Sequence, residues 1–337
     1  MEGAITLEHG SGGRLMRELL EEVILPSYKL NKVPGGLGLP EMDDGAFIPL
    51  GDFKLILTTD AYTVKPIFFP GGDIGRLAAC GTINDLAVMG AKPIALATSL
   101  VVEEGFGIDD LKRITNSINE VCVEVGVPLV AGDTKVMEKG EVDKIVIGAC
   151  GLGLAERVIT DAGLRPGDKV IITGTIGDHH IALLSVREGL SFDVPISSDV
   201  APLWETVRAA LELGGVSAMK DPTRGGVAGA LNEMARKSGV DVWLQEAELP
   251  IRDEVRSASE MLGLDPLELT NEGIAIIGVR PDLAEETLEA IRSTRYGRDA
   301  AIVGEAREGE GRVVLETLVG GKRLVREPMG APVPRIC

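Results

Sequence analysis

The chain has 337 residues, with 34 Lys+Arg against 52 Asp+Glu and a formal charge of −18. That balance argues against a nucleic-acid partner or an anionic membrane surface, both of which require basic patches. Apolar residues make up 45% of the chain, which excludes a disordered acidic polymer, and the apolar stretches at 94–102 and 145–155 are too short to cross a bilayer. No basic segment followed by an apolar core opens the sequence, so it reads as a cytoplasmic globular protein long enough for two domains.

Residues 1–40 are Gly-rich at both ends, with His9-Gly10-Ser11-Gly12-Gly13 and Pro34-Gly35-Gly36-Leu37-Gly38. Between them Leu15, Leu19, Leu20 and Val23 mark a short amphipathic helix. A strand is predicted at 54–58, its apolar run ending on Asp60, followed by a helix at 74–89 and a buried strand at 93–102. Leu111, Ile114, Ile118, Val121 and Val125 recur at helical spacing and Gly126 stops the helix. A strand at 127–131 runs into the turn-like Gly132-Asp133-Thr134, and another lies at 144–154. This alternation predicts one α/β or α+β domain over 41–155.

Arg165-Pro166-Gly167-Asp168 is a turn signal that opens a second mixed domain, 156–320. It holds a strand at 170–173, helices near 181–187 and 203–213, and a Gly225-Gly226 helix entry. Strands at 240–244 and 274–279, a helix at 283–293 and strands near 300–303 and 312–316 complete it. Residues 321–337 end in a proline-rich stretch expected to be an extended, mobile tail.

The common phosphate-loop, dinucleotide, HExxH and EF-hand motifs are absent. With three histidines, two of them adjacent (His179-His180), a His-rich metal site is not expected. What stands out is a set of acidic residues beside glycines or at strand ends: Asp43-Asp44-Gly45, Asp60, Asp85, Gly132-Asp133-Thr134 and Asp221-Pro222-Thr223-Arg224-Gly225-Gly226. Oxygen ligands of this kind suit Mg²⁺ bridged to substrate phosphates, while neighbouring glycines let backbone N–H groups approach phosphate oxygens. Acidic residues after strands also serve as turn formers and helix caps, so each alone is ambiguous. Asp85 is less so, because it interrupts the apolar helical pattern of Ile83, Leu86 and Ala87.

Lys135 and Glu272 are the candidate acid–base groups, the lysine stabilising anions and the carboxylate taking a proton. Cys80, Cys122 and Cys150 fall in apolar patterns and read as small buried hydrophobes. Cys337, at the end of the proline-rich arm, could instead carry a covalently bound group between sites.

Taken together, Thr59-Asp60, the segment Phe68-Phe69-Pro70-Gly71-Gly72-Asp73-Ile74-Gly75, Asn84-Asp85-Leu86-Ala87, Gly132-Asp133-Thr134-Lys135-Val136, Asp221-Pro222-Thr223-Arg224-Gly225-Gly226, Asn271-Glu272-Gly273 and Pro334-Arg335-Ile336-Cys337 resemble the HypE family of hydrogenase maturation proteins. That family belongs to the aminoimidazole ribonucleotide synthetase (PurM-like) superfamily, with selenophosphate synthetase and thiamine monophosphate kinase. The acidic motifs are shared across the superfamily and indicate ATP use; the terminal Pro-Arg-Ile-Cys is specific to the family. One departure is Gly177-Asp178-His179-His180, where the resemblance leads us to expect glycine at position 180.

The resemblance implies a two-domain PurM-like fold of mixed sheets and a homodimer formed through the N-terminal domains, with ATP at the domain and dimer junction. It assigns Asp43, Asp44, Asp60, Asp85, Asp133 and Asp221, with Gly12 and Gly13, to the nucleotide, and Asp44, Asp85 and Asp221 to Mg²⁺. Superfamily precedent requires only one of Asp43 and Asp44 as a direct ligand. Lys135 and Glu272 become proton handlers and Cys337 the covalent carrier. The implied activity is ATP-dependent carbamoyl dehydration, a carbon–oxygen lyase reaction that converts an S-carboxamide on Cys337 to a thiocyanate. A carbamoyltransferase would load the cysteine, and an iron-scaffold complex for the [NiFe] centre would accept the cyanide. Two other readings stand beside this one: another ATP-dependent synthetase or kinase of the superfamily, which would not need Cys337, and a nucleotide-binding module without turnover.

Overall fold

The computed structural model describes residues 3–189 and 195–330. Cys337 and the Pro-Arg-Ile before it lie outside the described residues. The N-terminal segment forms α1 (Gly13–Leu19), and looser helical turns carry it on to Ser27. There follow a hairpin, β1 (Ala46–Leu50) and β2 (Phe53–Tyr62), and the short pair β3 (Phe68–Phe69) and β4 (Gly72–Asp73). Next come α2 (Ile74–Val88), β5 (Ala91–Glu103), α3 (Ile108–Val125), β6 (Leu129–Met137) and β7 (Ile145–Ala155). The sheet runs in the order β1-β2-β7-β5-β6. Only β5 and β6 are parallel, as the crossover through α3 requires.

Two corrections to the sequence reading arise here. Gly132-Asp133-Thr134 is not a turn but the middle of β6, an edge strand exposed along nearly its whole length. Asp60 likewise lies within β2 rather than beyond a strand end. Gly and Asp are poor strand formers, and pairing with β5 overrides that preference in β6.

The second domain contains β8 (Lys169–Ile172), α4 (Asp178–Glu188), α5 (Trp204–Glu212), β9 (Val216–Lys220), α6 (Gly226–Ser238) and β10 (Val240–Gln245). It continues with α7 (Asp253–Leu262), β11 (Ile276–Val279), α8 (Ala284–Arg292), β12 (Ala301–Glu308), β13 (Val313–Glu316) and β14 (Lys322–Val325). Its seven-stranded sheet has the order β14-β13-β10-β12-β8-β11-β9. The strands β1, β3, β4, β9 and β14 and the helix α7 are additions to the elements read from sequence, and β14 corrects the expected tail, since residues 322–325 pair with β13 in the sheet.

Helix α2 places the functional residues. Asp73 caps it, its carboxylate accepting the N–H groups of Gly75 at 2.8 Å and Arg76 at 3.0 Å. It is apolar on every side, so it is buried on every side. Ile74, Leu77 and Ile83 pack into the first-domain core with Ile114 and Ile147. Ala87 and Val88 pack into a second core with Leu203, Val207 and Ile277. The helix thus belongs to both domains, and anything it carries stands at their junction.

Candidate active site at the domain junction

A cavity of about 810 Å³ opens between the domains, walled by β1, β2, α1, α2, the end of β9 and the loop at 270–273. Of the residues singled out from sequence, Gly12, Gly13, Asp43, Asp44, Asp60, Asp85, Asp221 and Glu272 all line it. Asp133 and Lys135 do not; they sit on β6, three strands from β2, which at ~4.8 Å per strand is about 14 Å across the sheet. One chain alone therefore does not bring Lys135 to Glu272.

The carboxylates are buried and mutually repelling. Thr58 Oγ1 lies 2.7 Å from Asp85 Oδ2, to which it donates, and 3.0 Å from the Asp44 carbonyl. Burial, then the negative charges of Asp221, Asp44 and Asp60, push the Asp85 carboxyl well above its ordinary range. Burial and Asp44 raise Asp221 to about 8. Burial, with Asp44 and Asp161, raises Asp43 to about 7. Glu272 is driven well above the usual carboxylate range by burial and by Asp199, Asp221 and Asp60. The carboxylates crowded here disfavour one another's ionised form.

Lys220 is the nearest cation, its Nζ 2.7 Å from Asp44 Oδ1. Burial alone would pull its pKa down, yet Asp44, Glu233 and Asp161 together push it well above the ordinary lysine value. Asp44 Oδ2 is buried without a hydrogen-bond partner among the described residues.

Two buried asparagines fix the loops around the cavity. Asn84 Nδ2 donates to the carbonyls of Ala201 and Glu272 at 3.0 and 3.2 Å, and its Oδ1 accepts the Leu203 N–H at 2.8 Å. Asn271 Oδ1 accepts the Gly177 N–H at 2.7 Å, while its Nδ2 donates to the Pro222 and Leu269 carbonyls at 3.0 and 2.9 Å. Asp199 accepts the N–H groups of Glu272 and Gly273 at 3.1 Å each. These contacts tie the backbone at Glu272 in the second domain to α2, and Glu272 lines the cavity together with Asp85.

The N-terminal glycines form part of the rim. A Cβ at Gly13, where φ is +73°, would fall 2.2 Å from the Pro328 carbonyl oxygen. Only glycine permits that approach, and it lets Arg14 N–H and Leu15 N–H reach the carbonyls of Pro328 and Met329 at 2.9 and 3.3 Å. Arg17 adds a two-pronged pair with Glu327 at 3.1 and 3.0 Å. Residues 327–329, the root of the C-terminal tail, are thereby held at the cavity mouth.

Thr58, Asp161, Asp199, Lys220, Glu233 and Lys237 escaped the sequence reading. For Lys220 a signal existed: the apolar alternation of Val216, Ala218 and Met219 marks a strand that would end beside Asp221. The others become functional only through tertiary contact. At the departure position, His180 lies inside α4, buried and with neither ring nitrogen hydrogen-bonded among the described residues.

Among the described residues no group of three His, Cys, Asp or Glu side chains is arranged to enclose a metal. Mg²⁺ does not require one, since it is commonly held by one or two carboxylates, water and substrate phosphates. The Asp44 Oδ2 that no described residue partners, and the carboxylates of Asp85 and Asp221 whose mutual repulsion a cation would relieve, fit such an ion.

The AIR synthase related protein N-terminal domain matches residues 42–155 and the corresponding C-terminal domain matches 165–316, which sets the class of the molecule. Within it, a Methanocaldococcus jannaschii protein named for hydrogenase expression and formation is 49% identical over 99% of each chain. The carbamoyl dehydratase HypE of Azotobacter vinelandii is 43% identical over 99% of this chain and 98% of that one. The chain belongs to the HypE family of hydrogenase maturation proteins. A crystal structure of HypE in complex with ATP has a TM-score of 0.82 and 39% identity, covering 99% of this chain and 100% of that one. A HypE–HypF complex has a TM-score of 0.86 and 45% identity, covering 92% and 99%.

Proposed function

We propose that this protein is an ATP-dependent carbamoyl dehydratase that converts an S-carboxamide on Cys337 to a thiocyanate, supplying cyanide for the iron of a [NiFe] centre. The observation that carries this reading is the convergence of Asp44, Asp85, Asp221 and Glu272 on one cavity, in a chain 43% identical to a carbamoyl dehydratase.

An amide oxygen leaves poorly, so it is phosphorylated first. The carboxamide oxygen attacks the γ-phosphorus of ATP, ADP departs, and one N–H proton is lost, giving an O-phosphorylated imidate. Loss of the second N–H proton then forms the C≡N bond as the C–O bond breaks and inorganic phosphate leaves. Phosphoryl transfer depends on positioning and charge neutralisation more than on covalent help. Asp44, Asp85 and Asp221 would hold Mg²⁺, and the ion when bound neutralises phosphate charge. Asp43 and Asp60 shape the same wall, and Gly12 and Gly13 cover the nucleotide and exclude water. Glu272, held by Asn84 and Asp199, takes the proton from nitrogen.

Asp133 and Lys135 enter through a homodimer. Among the described residues the edge of β6 is unpaired, and Leu129, Val130 and Val136 on it are 45%, 63% and 69% exposed, a surface that invites a second copy. Lys135 of the partner subunit then stabilises the anionic intermediate. Residues 41–155 form the nucleotide-binding and pairing domain, the domain carrying Glu272 runs from 156 through β14, and the residues beyond it, rather than the whole of 321–337, are the carrier tail. The carbamoyltransferase that loads Cys337 corresponds to the HypF with which the similar HypE was crystallised, and the cyanide acceptor is an iron-scaffold complex. No helix among the described residues is long and apolar enough to cross a membrane, and we assign the protein to the cytoplasm.

Intact-mass measurement of the C-terminal peptide, after carbamoyl loading and then ATP, tests the reading. The expected result is loss of one water from carbamoylated Cys337. Modification of Cys80, Cys122 or Cys150 instead, or no ATP-dependent loss, refutes it.

A further inference from the structure

Beside the cavity wall lies a buried ion network that the dehydration chemistry does not itself call for. Lys220 Nζ is 2.7 Å from Asp44 Oδ1 and 3.5 Å from both Asp161 Oδ2 and Glu233 Oε2. Lys237 Nζ contacts the same Asp161 and Glu233 at 2.7 and 2.9 Å and donates to the Met42 carbonyl at 2.7 Å. The side chains of Lys220, Asp44 and Asp161 are only 11%, 12% and 1% exposed. Water therefore screens the charges little, and each carboxylate must find a cation inside the protein.

The charge count is uneven as the network stands. With Lys220 against Asp44, the pair Asp161 and Glu233 share a single close ammonium, that of Lys237. A divalent cation arriving on the phosphates of ATP and an ammonium at 2.7 Å would compete for the same carboxylate. Resting on the metal assignment above, we infer that Lys220 is a positioning residue: it occupies the cation's place at Asp44 in the nucleotide-free protein and passes to Asp161 and Glu233 when the metal–nucleotide arrives. The transfer is short, since both receiving oxygens already lie within 3.5 Å and a hydrogen-bonded ion pair needs a further approach of only about 0.7 Å. Afterwards two ammonium groups serve two carboxylates, and Asp44 is free for the metal. The unpartnered Asp44 Oδ2 is the half of that carboxylate the lysine leaves open.

Lys220→Met keeps the aliphatic stem and removes the charge. Mg²⁺ titrated by calorimetry without nucleotide should bind the variant on the order of tenfold more tightly than wild type, because the competing ammonium is gone. The metal-free variant should melt at a lower temperature and recover in millimolar Mg²⁺. A lower melting temperature that Mg²⁺ does not restore would mark Lys220 as merely structural and overturn the inference. So would weakened binding of metal-free ATP, which would make the lysine a phosphate ligand. Glu233→Gln gives an independent arm that leaves Lys220 on Asp44: by weakening the receiving pair it should lower Mg–ATP affinity about threefold, and unchanged affinity counts against the transfer. If ATP affinity is independent of Mg²⁺ in wild type, the metal assignment itself falls, an outcome distinct from the others.

Discussion

Replacing Asn84 by alanine removes three hydrogen bonds at once from the junction between the domains. The amide donates to the Ala201 and Glu272 carbonyls and accepts the Leu203 N–H, and the side chain is only 2% exposed. Each backbone group left buried without a partner costs about 1–3 kcal/mol. Two carbonyls with a second lone pair to use elsewhere fall at the low end and the N–H at the high end. The sum is about 5 kcal/mol, and the small cavity left behind adds to it. Urea unfolding at neutral pH measures it, and hydrogen exchange should localise the loosening to the segments around 201–203 and 272. Because the Glu272 carbonyl is one of the orphaned groups, dehydration should fall further than ATP binding. A loss of under ~1 kcal/mol with unchanged exchange at Leu203 would refute the claim that this amide ties the domains together.

Asp85→Asn and Asp221→Asn should each weaken Mg–ATP binding while leaving the metal-free fold intact, because burial and neighbouring carboxylates already disfavour their charge; unchanged calorimetric affinity in both removes the ligand assignment. Burial lowers His180 from 6.5 to about 4, so its contribution is complete above pH 6.5 and is lost as pH falls toward 4. His180→Leu should be more stable than wild type by about 1–3 kcal/mol at neutral pH, since it removes an unsatisfied buried imidazole, and the gap should widen by about 3 kcal/mol near pH 4.5. A constant gap across that range, which cancels the titration of the acidic cavity, would show that the imidazole is not held neutral. Gly13→Ala should dislodge residues 327–329, read as new proteolytic cleavage there, and an unaltered digestion pattern would count against the close packing. Cys337→Ser should abolish thiocyanate formation with Mg–ATP affinity unchanged, whereas normal hydrogenase maturation by this variant would end the carrier assignment.

The elements whose signal is local were legible. Helix α3 announces itself by Ile114, Ile118 and Val121 on one face, and Asp85 stood out because a carboxylate interrupts an otherwise apolar helix. Glu272 and Asp221 were found beside turn residues, and the fold brings them to one cavity. The misreadings came where tertiary pairing outweighs propensity: Asp133 in a Gly-Asp-Thr stretch looks like a turn until β5 recruits it as an edge strand. Asp161 and Lys237 could not be found by spacing, since they meet across 76 positions of sequence, and the strand pattern that ends at Lys220 does not reveal its partner Asp44, 176 positions away. His180 is the converse case, a visible departure from the family pattern that the fold absorbs inside α4.

The seat of α1 on residues 327–329 has a consequence for how the molecule comes into being. Arg17 and Glu327 are 310 positions apart, so the wall they share forms only when nearly the whole described chain is in place. Without residues 328–329, Gly13 and the N–H groups of Arg14 and Leu15 lose the carbonyls they pack against. A nascent chain, or one truncated before Glu327, can fold its two sheets but not complete the mouth of the site. The mouth of the site is thus a seam between the two ends of the described chain, and loss of either end opens it.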